Sequence, residues 1–388
     1  MPHTITLFLS IFLLAFTPKS EAQTYNDTLD VVTWNLHEFG GDTSQHHQAT
    51  NIKNVMNQIG ADIYACEEVV NVDSFKWLAN NLNGNFGYYY SYYGGGYNVN
   101  DTNNAAYPAS LKYGFIYRKS MVANVQVRPL MKTSATASNS FYGRFPFLVH
   151  CDVKGADNNW SAFHFVIIHA ACCPDAGACT RRINGCHELK DTLDTYYPSD
   201  RIILLGDFND DFDTTICTNS TISNYSYMLS DSINYKAVTL PYSRLNIGSV
   251  IGYNNMIDHM IVSNEVVPYF VSNSVQIYKS YSWANTSDHH PVKAQFVITN
   301  SATSIVPFGL DRVSIFPNPT PTFFTVKFTK PLSGSYKLLN AIGNCVASSS
   351  FLNDGFQVSS AGLANGVYVM KIRTNDGERL TKRIVVRH

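Results

Sequence analysis

From residue 29 to residue 298, short apolar runs rich in β-branched and aromatic residues alternate with polar stretches of helical periodicity. The runs at 31–34, 63–66, 114–118, 147–153, 163–169, 201–205, 256–262 and 292–298 predict strands, and 45–59, 74–83 and 180–196 predict helices. That alternation is the pattern of a mixed α/β domain. Residues 300–309 carry Ser, Thr and Pro without a charge and read as a linker. Beyond it apolar and polar positions alternate between turn signals at Ser333-Gly334, 353–355, Asn365-Gly366 and 375–377, the pattern of a small β-sandwich.

The first residues follow another pattern. A 12-residue, mostly apolar run at 5–16 leads into Ser20-Glu21-Ala22, a small-x-small cleavage signal. The run is too short to span a bilayer stably, and no later window approaches the roughly 18 apolar residues a span requires. The expected organisation is a signal peptide at 1–22, an α/β domain at 23–299, a linker at 300–310 and an all-β domain at 311–388. The mature chain is then secreted or attached to the cell surface.

Charge sharpens the division. The whole chain sums to −1, which argues for no charged partner, but residues 311–388 hold 10 Lys and Arg against 4 Asp and Glu, whereas 23–299 holds 17 against 24. The two segments are different objects. In an exported chain the eight cysteines are expected in disulfides rather than as a thiol enzyme or a zinc site. Cys172, Cys173, Cys179 and Cys186 cluster around Pro174 and Gly177, the pattern of a loop stapled to itself, while Cys66 reads as a buried small apolar residue.

Candidate chemistry gathers where strands end. Asn35, the pair Glu67-Glu68, His169, Asp207 with Asn209, and Asp288-His289 all border apolar runs, and Asp258 lies within one. Carboxylates with an amide oxygen suit Mg2+ or Mn2+, and an aspartate holding a histidine suits proton transfer near neutral pH. Phosphate ester cleavage needs both, together with donors for the phosphoryl oxygens.

The motifs TWN at 33–35, EEV at 67–69, FYGRFP at 141–146, IIH at 167–169, LLGDFND at 204–210, MIDHMIVS at 256–263 and SDHHPV at 287–292 resemble the endonuclease/exonuclease/phosphatase superfamily, DNase I-like enzymes included. The resemblance implies a two-sheet α/β sandwich for residues 30–298. It implies that Glu68, helped by Asn35 and Asp288, holds Mg2+ or Mn2+, with Ca2+ as a structural or supporting ion. It further implies that Asp207 activates or orients water, that Asn209 and Arg144 grip the phosphate, and that Asp258 orients His289. His169 resembles the second histidine of the DNase I-like branch; no Glu occurs from Val70 to Gly114 to match that branch's supporting glutamate. His290 is expected as a solvent-facing neighbour, and YYYSYYGGGY at 88–97 as a half-buried aromatic strand with a base-stacking platform as its alternative.

The leading expectation is a secreted, metal-dependent nuclease acting as a monomer, with Lys112, Arg118, Arg144, Arg181 and Arg182 supplying a local basic groove for nucleic acid. The alternatives are a phosphatase or phosphodiesterase for lipid headgroups or small phosphate esters, and a non-catalytic surface binding protein. FPNPT at 316–320 and GVYVMKI at 366–372, followed by a basic end, resemble a type IX secretion sorting domain, which implies passage across the outer membrane and contact with that secretion machinery.

Overall fold

A computed structural model describes residues 28–41, 48–95, 101–279, 286–299, 313–340, 343–374 and 379–388. The signal-peptide and linker readings lie outside these residues. Two six-stranded mixed sheets form the body of the protein. The first contains, in spatial order, β11 (Gln276–Ile277), β12 (Val292–Phe296), β1 (Leu29–Phe39), β2 (Ile63–Val69), β4 (Lys112–Arg118) and β3 (Phe86–Tyr90). The second contains β5 (Val122–Pro129), β6 (Phe147–Lys154), β7 (Trp160–His169), β8 (Ile202–Asp207), β10 (Asp258–Ser263) and β9 (Tyr235–Ala237).

Each sheet has one parallel pair at its centre, β1 with β2 and β7 with β8, and these central strands are the near-continuous apolar runs of the sequence. Val31, Ile63, Ala65 and Phe115 of the first sheet pack against Phe147, Phe165, Ile167, Ile203 and Leu205 of the second in one buried core. Helices cover the outer faces. In α1 (Gln48–Ile59) Ile52, Val55, Met56 and Ile59 are buried at helical spacing, and they join Phe75 and Leu78 of α2 (Val72–Asn80) over the back of the first sheet. Asn71 caps α2 by accepting from the Asp73 and Ser74 amides.

The cysteine expectation fails in its pairing. The helix expected from residue 180 begins earlier, as α4 (Ala176–Tyr196), because Asp175 accepts from the Gly177 and Ala178 amides and caps it there. Cys179 and Cys186 are thereby helical, and the disulfide joins Cys179 to Cys217, 38 residues away, with Cys186 buried as a free thiol. Three strands of the two sheets are not among those expected: β5 alternates buried and solvent-facing positions without an apolar run, and β9 and β11 are only three and two residues long. β3 takes up the start of the tyrosine-rich stretch as an aromatic strand.

A third, antiparallel sheet is built from β13 (Val313–Phe316), β14 (Phe323–Leu339), β15 (Cys345–Ser359), β16 (Gly366–Thr374) and β17 (Arg379–Val386). The expected turn at Ser333-Gly334 is absent; both residues continue β14, and a Cβ on Gly334 would meet the Arg373 carbonyl at 2.2 Å, so glycine permits strand contact here. The ladder breaks between Lys327 and Leu332 instead, letting the long strands curl over a core of Phe324, Val326, Leu338, Met370 and Ile384. Thr320 of the FPNPT motif binds the β17 backbone through its amide to the Val385 carbonyl at 2.8 Å and its carbonyl to the Arg387 amide at 3.0 Å.

Candidate active site

Strand register assembles most of the site. In the second sheet His169 of β7 lies opposite Asp207 of β8, and Asp207 lies opposite Asp258 of β10, so three candidate residues form one row across neighbouring strands. In the first sheet Asn35 stands opposite Glu67, with Glu68 one residue on. Gly206 is required beside this row: its φ is +140°, and a Cβ would lie 2.0 Å from the Ile168 carbonyl oxygen. Glu68 and Asn209 also hold left-handed φ values, +59° and +50°, a costly conformation for residues with side chains and one found often at functional sites.

A chain of short contacts crosses between the sheets. Asn35 Nδ2 donates to Glu68 Oε1 at 3.1 Å and to Asp207 Oδ2 at 3.0 Å. His169 Nε2 lies 3.6 Å from the same two oxygens. His289 Nε2 stands 3.9 Å from Asp207 Oδ2, while its Nδ1 meets Asp258 Oδ2 at 2.8 Å. Asn209 is fixed alongside, its amide on Asp207 Oδ1 at 2.9 Å and its side chain on the Ala170 carbonyl at 3.2 Å.

The loop ahead of β12 is sewn to β1. Ser287 Oγ donates to the Asn35 carbonyl at 2.6 Å and accepts the His289 amide at 3.0 Å, and Trp34 Nε1 donates to the His289 carbonyl at 2.8 Å. Ser249 Oγ accepts the Asp258 amide. Tyr113 Oη accepts the His169 amide and donates to the Arg144 carbonyl, tying those two candidates together. Sequence reasoning missed Trp34, Ser249, Ser287 and Tyr113. Trp34 and Ser287 carried a local signal, because they lie in the TWN and SDHHPV motifs.

Burial sets the electrostatics. Desolvation holds the Asp207 carboxyl up at about 7, with Asp258 adding repulsion and His289 opposing it. Burial alone would depress His289, but the charge and hydrogen bond of Asp258, followed by the charges of Asp207 and Asp288, outweigh it and raise it to about 10. His169 goes the other way: burial first, then Arg144 and His289, push it well below its ordinary value, and its Nδ1 has no hydrogen-bond partner among the described residues. Glu67 is completely buried, accepts from Thr33 Oγ1, and is raised by desolvation and by the Asp258 and Asp207 charges. Glu68 by contrast reaches the site and accepts the Glu38 amide.

Other expected residues are placed differently. Asp288 turns toward His37, Nδ1 to Oδ1 3.1 Å, a partner the sequence did not suggest. His290, expected in solvent, is buried, with its amide on the Ser249 carbonyl at 2.7 Å. The basic groove is reduced. Lys112 is buried with Nζ on the Tyr107 and Ser110 carbonyls, Arg118 is bonded to Asp62 at 2.7 Å, and Arg182 is buried against Asn224, Ala171 and Cys173. Only Arg144 and Arg181 remain, their guanidinium carbons 5.7 and 5.0 Å from the Tyr142 ring centre. Arg144 also leans on the His169 and Ala170 carbonyls at 3.4 Å.

The donor set fits a hard divalent cation. Carboxylate oxygens of Glu68 and Asp207 converge on a single amide, and no Lys or Arg pairs with either among the described residues; the cation beside them is His289, on the Asp207 side. Among the described residues, the one group of three His, Cys, Asp or Glu whose ligand atoms lie within 4.8 Å of one another is Asp207, Asp258 and His289. Its His289 Nδ1 is already committed to Asp258.

The sequence profile described as the Endonuclease/Exonuclease/phosphatase family matches residues 32–289, and that of the Secretion system C-terminal sorting domain matches residues 314–387. Among solved structures, a humanized D. rerio TDP2 carrying 14 mutations is similar with a TM-score of 0.50 and 11% identity, over 69% of this chain and 98% of that one. An endonuclease/exonuclease/phosphatase from Beutenbergia cavernae aligns with a TM-score of 0.48 and 13% identity, over 92% of this chain and 100% of that one. A mannosyl-6-phosphatase from Bacteroides thetaiotaomicron aligns with a TM-score of 0.44 and 16% identity, over 70% and 100%. No curated protein matches the chain significantly. Among the described residues no helix is long and apolar enough to cross a membrane, and the sorting domain marks the chain for export by type IX secretion to the cell surface or extracellular space. The chain belongs to the endonuclease/exonuclease/phosphatase family, whose members hydrolyse phosphoester bonds.

Proposed function

We propose that the exported chain is a divalent-metal-dependent phosphodiesterase that hydrolyses nucleic acid. The observation that carries the reading is the unbroken line of contacts from Glu68 through Asn35, Asp207 and His289 to Asp258. In this reading Glu68, Asn35 and Asp288 would hold Mg2+ or Mn2+, Asn35 through its amide oxygen, which requires reversing the amide that here turns Nδ2 to Glu68 and Asp207. The bound ion supplies charge neutralisation at phosphorus and eases attack by water. Asp207, held by burial at about 7, accepts a proton from that water near neutral pH. His289, kept protonated by Asp258, offers Nε2–H to a phosphoryl oxygen, and its Nδ1–H stays on the carboxylate. Asn209 orients Asp207 through its amide and adds a side-chain donor nearby.

Nucleic acid is favoured over a lipid headgroup by the ledge beside His169, where Arg144 and Arg181 flank the Tyr142 ring. Guanidinium groups grip backbone phosphates, and an aromatic face stacks a base. The test is incubation of purified protein with plasmid DNA, RNA, sphingomyelin and bis-p-nitrophenyl phosphate, with EDTA and with Mg2+ restored. The expected result is cutting of DNA or RNA that EDTA abolishes and Mg2+ restores. Hydrolysis confined to sphingomyelin or the small ester would overturn the nucleic-acid assignment, and hydrolysis of nothing would leave a binding protein on an inactive scaffold.

A further inference from the structure

Cys172 and Cys173 take no part in the chemistry above, yet they sit three and four residues beyond His169 in the loop that follows β7. Both are exposed, and their sulfur atoms lie 2.7 Å apart. In extended chain, adjacent side chains point to opposite faces. Here Cys173 has φ +84°, and the chain turns so that the two sulfurs meet. The remaining free cysteines differ: Cys66, Cys151 and Cys186 are buried, and Cys345 lies on the C-terminal sheet.

The loop is anchored from both sides. The Ala170 carbonyl accepts from Asn209 Nδ2 at 3.2 Å and from Arg144 Nη2 at 3.4 Å. Arg182 Nη1 donates to the Ala171 carbonyl at 2.7 Å and the Cys173 carbonyl at 2.9 Å. Export places the loop in surroundings where disulfides form and persist.

We propose that Cys172 and Cys173 are joined by a vicinal disulfide in the exported protein, a reversible modification that fixes the turn on which Arg144 and Asn209 lean. Its formation is an exchange with a carrier disulfide. The Cys172 thiolate attacks one carrier sulfur and expels the other as a thiolate. The Cys173 thiolate then attacks Cys172 Sγ, closing the ring and releasing the second carrier sulfur. The two S–H bonds are lost, two electrons reduce the carrier to its dithiol, and the two protons leave with it or with solvent. Exposed, strained disulfides are the readily reduced ones. A mild dithiol therefore opens this ring while the buried Cys179–Cys217 bond persists.

Secreted protein is alkylated without reduction and cleaved before aspartate, which frees residues 157–174 containing only these two cysteines. The expected fragment carries no alkyl group and is lighter by two hydrogens than its reduced form. Two alkyl groups without prior reduction, or a cross-link to another segment, overturns the proposal. The mass measurement needs no substrate, so its outcome is independent of the phosphodiesterase reading. For the effect on the site, mild reduction is expected to lower kcat/KM roughly three- to tenfold by loosening the turn, and the Cys172→Ser variant is expected not to respond to reductant. Equal responses in wild type and variant would refute the link to the active site.

Discussion

The sandwich and the C-terminal sheet treat polar groups in opposite ways. The sandwich buries Asn35, Glu67, Asp207, Asp258 and His289 nearly completely, whereas the polar residues buried in the described part of the C-terminal sheet are Thr320, Ser360 and Thr374, all uncharged. Burying a charge is costly unless it is paired or ligated, so a domain that conceals several at one seam is organised around a reaction. In the C-terminal sheet the FPNPT segment instead lies along β17, bonded to its backbone at Arg383, Val385 and Arg387.

The largest effect that separates the two regions is on turnover. Asp207→Asn and His289→Ala should each reduce kcat by roughly 10² to 10⁴ with unchanged circular dichroism, since acid–base groups contribute on that scale. Unaltered kcat in either would detach that residue from the chemistry. Arg144→Ala should act more on KM than on kcat for nucleic acid and leave a small ester less affected, because phosphate grip along a strand is lost. The Cys179–Cys217 bond closes a 38-residue separation, and replacing both cysteines by Ser should lower stability by about 2–4 kcal/mol in urea unfolding.

Not every buried charge in the sandwich serves catalysis, and Lys190 shows the difference. It bonds Asp194 at 2.6 Å and Asp231 at 2.8 Å, away from the site. Burial would raise the Asp231 carboxyl, but the hydrogen bonds from Lys190 and Asn234 outweigh it and hold the group below its ordinary range. Its folded value is therefore depressed. The stabilisation it lends is full above the unfolded value near about 4 and fades as pH falls through the folded one. Lys190→Met should cost about 3–5 kcal/mol at neutral pH, less in acid, and should leave kcat unchanged. A penalty that does not shrink with acid would contradict the ion-pair account. The smallest effect is expected from removing residues 311–388: turnover within about twofold of the full chain, with export lost in cells.

Much of this was legible because the chemistry sits where buried strands surface. Asp207 follows the fully buried run 202–206, and Glu68 follows Ile63 to Cys66, so strand pattern and motif agree. The register that sets His169, Asp207 and Asp258 in one row is a long-range property, and no local pattern contains it. The errors have more local causes. Lys112 and Arg182 looked like groove residues, but carbonyls of the segments just before them fold around them and satisfy their donors inside the protein. Cys179 found Cys217 because the Asp175 cap turned its neighbourhood into helix. The Gly334 expectation failed because glycine serves a turn and a close strand approach equally well.

The most direct test of the central claim is the Mg2+ dependence of phosphodiester hydrolysis in wild type and Glu68→Gln, each first stripped with EDTA. Under the proposed site, in which Glu68 is the principal ligand, Glu68→Gln should require at least roughly tenfold more Mg2+ for half-maximal rate, with lower turnover at saturation. Identical Mg2+ curves, or hydrolysis indifferent to EDTA in the wild type, would contradict it.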